Sequence, residues 1–193
     1  MIDPLYAFVF LGLFSPGPNV IMLTASGARF GFARTVPHVL GVAIGVGILA
    51  GLAGLGVGVV LNGQPALKFA LKIAAAAWIL RMAWLLFQST KLDKMVDSDR
   101  PFSFLQATLF QWVNPKVWAV VLAAAAGYST GLGPVAEGQK LAIIFASMNL
   151  FVCLFWSFAG SLLVYLLTTP TAWRTFNIAM AVALAASAVM VFF

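Results

Sequence analysis

The sequence predicts an all-α polytopic membrane protein: six transmembrane helices arranged as two inverted three-helix repeats, the first helix of each half broken at the membrane midplane. Three observations predict it. The 193 residues are 63% hydrophobic and 8% charged, with a mean hydropathy of +1.04, which is more apolar sequence than a soluble core needs. The apolar residues gather into six long segments, at about 4–26, 37–61, 66–89, 103–127, 139–165 and 172–193. Two of these, at corresponding places in the chain, carry a proline-containing polar interruption. A spanning helix needs about 20 apolar residues to cross ~30 Å of hydrocarbon, and each segment is long enough with some tilt. Strands of a membrane barrel would show ~10-residue alternating segments, and the sequence has none.

The first segment holds Ser15-Pro16-Gly17-Pro18-Asn19 inside an apolar run from Pro4 to Thr24. Leu5 to Phe14 alone is too short to span, while the whole run is about the right length. The reading is therefore one helix broken near its middle. Pro16 and Pro18 each lack an N–H and block the carbonyl four residues earlier. Gly17 permits backbone angles that other residues resist. Polar backbone groups freed at membrane depth survive only where protein or a water-filled cavity satisfies them. Such a break is the best pointer in a sequence to a transporter's binding site. The opening Met-Ile-Asp-Pro has no basic region, so no cleaved signal peptide is expected.

The second segment is rich in glycine, with GxxxG pairs at Gly41/Gly45, Gly47/Gly51 and Gly54/Gly58. Gly47, Gly51, Gly54 and Gly58 share one helical face, which predicts close helix packing, since lipid offers no hydrophobic force between helices. A second role would have Gly41 and Gly45 line a cavity or let helices slide. His38 reads as an interfacial residue at the start of this helix. In the third segment Arg81 reads as snorkelling toward the headgroups.

The loop from Lys91 to Pro101 is the one strongly polar stretch. The chain is expected to form a single transporter domain over 1–193, with halves at 1–90 and 103–193 joined by the loop 91–102. Three crossings per half make the halves antiparallel, as in an inverted repeat. Alternate loops hold Arg29, Arg34, Lys91, Lys94, Arg100 and Arg174, against Lys68, Lys72 and Lys140 on the other side. This places the first set in the cytoplasm and both termini outside.

The fourth segment carries Gln111-Trp112-Val113-Asn114-Pro115-Lys116 near its middle, matching the first break. A charge at mid-bilayer costs at least ~2.5–3.5 kcal/mol on insertion scales, so Lys116 needs a partner, water or a function. The five acids, Asp3, Asp93, Asp97, Asp99 and Glu137, all fall in loops or at helix ends. Freed carbonyls, or the carboxylate of a substrate, are the remaining partners. Asn19 and Asn114 can cap freed backbone or contact substrate. Gln111, Asn114 and Trp118 share one face. In the fifth segment Asn149, Cys153, Trp156 and Gly160 form a small and polar stripe, which reads as interhelical packing or as substrate lining. The single cysteine excludes an internal disulfide. No acid–base or nucleophile–base pair lies in the apolar segments, so no enzyme, cofactor or metal site is expected. The net charge of +6 fits loop bias in a membrane protein rather than nucleic-acid binding.

Ser15-Pro16-Gly17-Pro18-Asn19, followed by Gly31, Gly41 and Gly45, resembles the N-terminal signature of the lysine-exporter (LysE/RhtB) family. Phe104-Leu105-Gln106 with Gln111 to Lys116 resembles its second-half signature, and Leu71-Lys72 and Trp173-Arg174-Thr175-Phe176-Asn177 also fit. The resemblance implies a small exporter of amino acids or their derivatives in the bacterial cytoplasmic (inner) membrane, driven by proton antiport. Val46 stands where many members carry Asp, Ala75, Ala83, Met180 and Ala181 where glycines are frequent, and Ala126-Gly127-Tyr128 where many have proline and phenylalanine. Without that Asp no buried acid is left for proton coupling or for the second cation of a dibasic substrate. Lys116 and His38 are then the titrating groups near the membrane.

The expected site comprises Pro16, Gly17, Pro18, Asn19, Gln111, Asn114, Pro115, Lys116 and Trp118. Lys116 and freed N–H groups would bind a carboxylate, and Asn19 and Asn114 would orient an amino group. The partners expected are a small-molecule substrate and membrane lipid, with a homo-oligomer allowed. An ion or metal exporter of the wider superfamily, or a non-transporting membrane interaction module, are the alternatives. The first would want carboxylate, thiolate or imidazole ligands, and the second leaves the matched breaks unexplained.

Overall fold

The computed structural model describes residues 3–15, 17–56, 65–88, 100–163 and 165–189. Among them are eight helices and no strand: α1 (Pro4–Phe14), α2 (Pro18–Phe30), α3 (Phe32–Gly54), α4 (Pro65–Gln88), α5 (Phe104–Val113), α6 (Pro115–Gly127), α7 (Pro134–Leu163) and α8 (Pro170–Val189). Pro16, Gly58, residues 190–193 and the polar stretch from Lys91 to Asp99 lie outside the described residues. Proline places the helix starts. Six of the nine prolines open a helix, where the missing N–H is one the helix could not use and the fixed φ is already helical. Side chains finish the job at three starts, with Thr169 Oγ1 accepting from Ala172 N at 3.1 Å ahead of α8. Asp3 accepts from Leu5 N at 2.9 Å. Ser103 and Gln106 form a reciprocal capping box at the start of α5.

Both expected breaks are present. α1 and α2 are bent by 59° and α5 and α6 by 67°. Among the described residues, α3 and α7 are each long and apolar enough to cross a membrane, and counting each bent pair as one span makes four. Leu11, Ile143 and Phe151 are more than half exposed while Leu5, Leu141 and Phe145 are buried. Helices apolar on their outer as well as their inner faces suit lipid surroundings.

The first turn differs from the sequence reading. α2 runs on to Phe30 and α3 begins at Phe32, so a single residue, Gly31, makes the connection. Its φ of 80° is left-handed, where a side chain would be strained. Arg29 and Arg34 therefore sit on helix ends, and Pro37 lies inside α3 rather than at its start. Thr35 Oγ1 donates to Gly31 O at 2.9 Å and meets Ser26 Oγ at 3.2 Å, which ties the turn. His38 is buried with its ring 5.2 Å from that of Phe102. At the other end of the fold, α7 starts at Pro134, and Glu137 in its first turn is buried. Its carboxylate accepts from Thr130 N at 2.6 Å and Thr130 Oγ1 at 2.8 Å, holding the preceding turn.

α3 and α7 make the most extensive pairing, and around it the two bent pairs are seated. Small residues set these approaches, as the glycine pattern predicts. A Cβ on Gly47 would lie 2.8 Å from Ala146 Cβ, and one on Gly54 2.7 Å from Gly138 Cα. α2 crosses α7 through a matched pair: a Cβ on Gly27 would lie 2.1 Å from Ser157 O, and one on Gly160 2.2 Å from Thr24 O. Gly41 and Gly45 belong to the same kind of close approach. They seat α5, with added Cβ atoms at 2.3 Å from Phe104 O and 2.9 Å from Thr108 O. Thr108 Oγ1 donates to Gly41 O at 3.1 Å across the same contact. α4 and α8 pair with each other at the side of this assembly, reaching it through α5 and α2.

Gly27→Val is expected to destabilise the protein by about 1–3 kcal/mol or more through overpacking, seen as a lowered unfolding midpoint in detergent. Gly127→Ala, where the added methyl meets nothing within 4 Å, should leave the midpoint unchanged or raise it, by up to ~1 kcal/mol of helix propensity.

Candidate functional site

Each broken helix frees carbonyls at the end of its first half and N–H groups at the start of its second. At the first break, Ser15 N returns to Leu11 O at 3.1 Å and Ser15 Oγ donates to Gly12 O at 3.0 Å. Ser15 O is left pointing out of the helix and receives Lys116 Nζ from the second break. At the second break, Asn114 N returns to Gln111 O at 3.1 Å. Trp118 folds its indole back to donate Nε1 to Trp112 O at 2.8 Å. The two breaks therefore face each other, 101 residues apart in sequence, and side chains of the second satisfy backbone of the first.

A second bridge joins them. Asn19 Nδ2 donates to Gln111 Oε1 at 2.8 Å, and Gln111 Nε2 donates back to Asn19 Oδ1 at 3.2 Å. Gln111 Nε2 also donates to Ala107 O at 2.9 Å, which fixes the amide's orientation and hence the sense of the pair. Gln111 is fully buried.

The glycine at the first break has a different reason from the one its sequence context suggests. Gly17 is fully extended, with φ 178° and ψ 179°, a conformation open to any residue. Its neighbour is what matters: an added Cβ would lie 2.6 Å from Lys116 Cδ and 3.0 Å from Nζ. Glycine here leaves the lane along which Lys116 reaches Ser15.

Between the breaks lies a cavity of about 20 Å³. About 10–15 Å³ admits one water, so this space is far too small for an amino acid. The start of α2 lines it with Gly17, Asn19 and Val20, and the start of α6 with Asn114, Lys116 and Val117. No side chain caps either helix start. Each contributes roughly half a positive charge, beside the ammonium of Lys116. Among the described residues no carboxylate lines the cavity. The opposite wall is α7, through Asn149, Val152, Cys153 and Trp156. Asn149 donates to Val42 O at 3.5 Å and Cys153 Sγ donates to Asn149 Oδ1 at 3.6 Å. Asn114 Oδ1 and Trp156 Nε1 are buried without a partner among the described residues. A buried polar atom left unpaired costs about 1–3 kcal/mol.

Of the residues expected at the site, Gly17, Asn19, Asn114 and Lys116 line the cavity. Pro18 and Pro115 open the two helices whose starts face it. Gln111 stands behind Asn19, and Trp118 braces the second break. Pro16 lies outside the described residues. The α7 residues Asn149, Cys153 and Trp156 were legible as a stripe at spacings of four and three, but nothing in the sequence showed that the stripe faces the breaks. Val46 is fully buried in the apolar core. Among the described residues no three His, Cys, Asp or Glu side chains come together as a metal would require.

The LysE type translocator family matches residues 10–193. The "Cysteine/O-acetylserine efflux protein" of Escherichia coli (strain K12) and that of Shigella flexneri serotype 5b (strain 8401) are each 27% identical to the chain over 199 residues. The alignments cover 100% of this chain and 98% of each relative. No solved structure matches.

Gln111→Leu should strand the Asn19 amide and cost about 1–3 kcal/mol. Replacing both residues with leucine should recover part of that loss. A double-mutant cycle of unfolding free energies in detergent checks it, and additive losses would remove the pair as a link between the breaks.

Proposed function

This chain belongs to the LysE type translocator family, and we propose that it exports a small amino acid or amino-acid derivative across the bacterial inner membrane by alternating access. The observation that carries the reading is the meeting of the two breaks, with Lys116 of one lying across the backbone of the other. The efflux function named for the relatives supports the direction and the substrate class.

The substrate's carboxylate takes the place that Ser15 O holds on Lys116, and the N–H groups at the starts of α2 and α6 share its charge. Half-helix N-termini aimed at a substrate carboxylate are a recurrent solution in transporters with broken helices. The ammonium has no carboxylate to meet, so amide oxygens receive it, Asn114 Oδ1 first. A zwitterion leaves this site with the positive balance it had when empty, whereas a dibasic substrate would add an unopposed cation. Because the cavity is too small for the substrate, binding requires the walls to part. The Asn19–Gln111 pair and the Lys116–Ser15 contact are the links that must release.

The six-span inverted repeat and the placement of both termini outside belong to this proposal. Packing supports it. Under that topology α2 and α5 are the cytoplasmic halves of the broken helices. These are the halves pressed closely onto α7 and α3, while α1 on α7 and α6 on α3 are seated more sparsely. A carrier sealed on one side and looser on the other has this asymmetry. Proton antiport is the energy source we assign, with Lys116 as the group whose charge the substrate and the proton would both address.

Export of labelled amino acid from cells carrying Lys116→Ala or Lys116→Gln should fall at least about tenfold, since a charged hydrogen bond contributes ~1.5–3 kcal/mol. Unchanged export at normal expression would remove Lys116 from the mechanism. Gly17→Ala should lower export with little loss of stability, because the added methyl displaces only the flexible end of the Lys116 side chain.

A further inference from the structure

We propose that Trp156 determines specificity at this site: its indole N–H donates to an acceptor on the substrate's side chain, so the carrier favours small amino acids bearing a hydroxyl or an ester carbonyl over apolar isosteres. The inference rests on the export reading above and adds which part of the substrate is read, and by what.

The α7 wall offers the cavity three polar side chains, and two are already engaged with each other and with α3. Asn149 bonds Val42 O, and Cys153 bonds Asn149. Trp156 alone keeps an unspent group, a buried Nε1 with no partner among the described residues. Buried indole N–H groups ordinarily find an acceptor, and Trp118 does so at Trp112 O; Trp173 Nε1 on α8 is also buried without a partner among the described residues, but Trp173 does not line this cavity. Trp156 is not loosely placed either. Its ring lies 5.1 Å from Phe14 at the end of α1 and 5.5 Å, edge to face, from Phe155. The donor is therefore held in position in advance of the ligand, which limits the ordering cost of binding.

Asn114 Oδ1, which is likewise buried and unpartnered, belongs to the opposite wall of the same cavity. When the walls part, as the export reading requires, one supplies an acceptor and the other a donor. A small amino acid presents the complement when its ammonium turns to Asn114 and its side chain, carrying an oxygen or other acceptor, turns to Trp156. The carboxylate lies between, toward Lys116. A site that hydrogen-bonds a substrate group discriminates against the analogue lacking it, because the protein's own polar atom is then left buried and unpaired.

The test uses the full chain in proteoliposomes and matched substrate pairs: serine against 2-aminobutyrate, and O-acetylserine against norleucine. Trp156→Phe keeps a ring against Phe14 and removes the N–H. It is expected to slow transport of serine and O-acetylserine on the order of tenfold while leaving both apolar partners within about twofold. Substrate-induced thermal stabilisation gives a second readout: serine should raise the midpoint of the wild type but not of the variant. An unchanged ratio within each pair overturns the proposal and leaves the export reading standing. Equal losses for both members mark Trp156 as merely structural and also overturn it. A wild-type protein that moves none of the four overturns the export reading and this one with it.

Discussion

A helix broken inside a membrane leaves carbonyls and N–H groups that lipid cannot satisfy, and the rest of this structure follows from how that debt is settled. The two breaks settle it against each other. Lys116 reaches across to Ser15 O, Gln111 and Asn19 exchange amide hydrogen bonds, and Trp118 closes the second break on itself. Carbonyls are covered in this way, whereas the N-terminal ends of α2 and α6 receive no side-chain cap. What remains at the centre is electropositive and faces a cavity.

Meeting at the centre demands close approach along the flanking helices, and the glycines provide it. Gly27 and Gly160 let α2 lie on α7, and Gly41 and Gly45 let α5 lie on α3. At Gly27, Gly41 and Gly160 the contacts are backbone to backbone and carry little tolerance, since an added methyl meets a carbonyl oxygen first, whereas at Gly45 it meets the Gln111 side chain before Thr108 O. Such interfaces hold helices at fixed depth while permitting a rigid half to rock. The α3–α7 pairing, built on Gly47, Gly51 and Gly54 against the small residues of α7, is the hinge line of that arrangement in the export reading.

In the export reading, the charge at the site argues for the substrate class more than any single contact does. One full cation and two helix N-termini surround a space that no carboxylate among the described residues lines, and the core position where many relatives of the resembling family carry Asp is a buried Val46. A monoanionic group is welcome there, and a second cation is not. The α7 wall adds neutral polar side chains, Asn149, Cys153 and Trp156.

The sequence by itself determined the helical membrane class, the positions of both breaks, the place of Lys116 at the second of them and the packing role of the glycine face. These are local or periodic properties: hydropathy over 20 residues, proline's missing N–H, and glycine recurring at helical spacing. It also misplaced what depends on partners. Gly17 looked like a residue chosen for its backbone angles, yet it is extended and small for the sake of Lys116. Only the tertiary structure decided that the breaks touch, that Asn19 is taken by Gln111, and that the Asn149–Cys153–Trp156 stripe forms the facing wall. Those facts join residues from about 90 to more than 130 positions apart, and no periodicity within a helix records which other helix its face will meet.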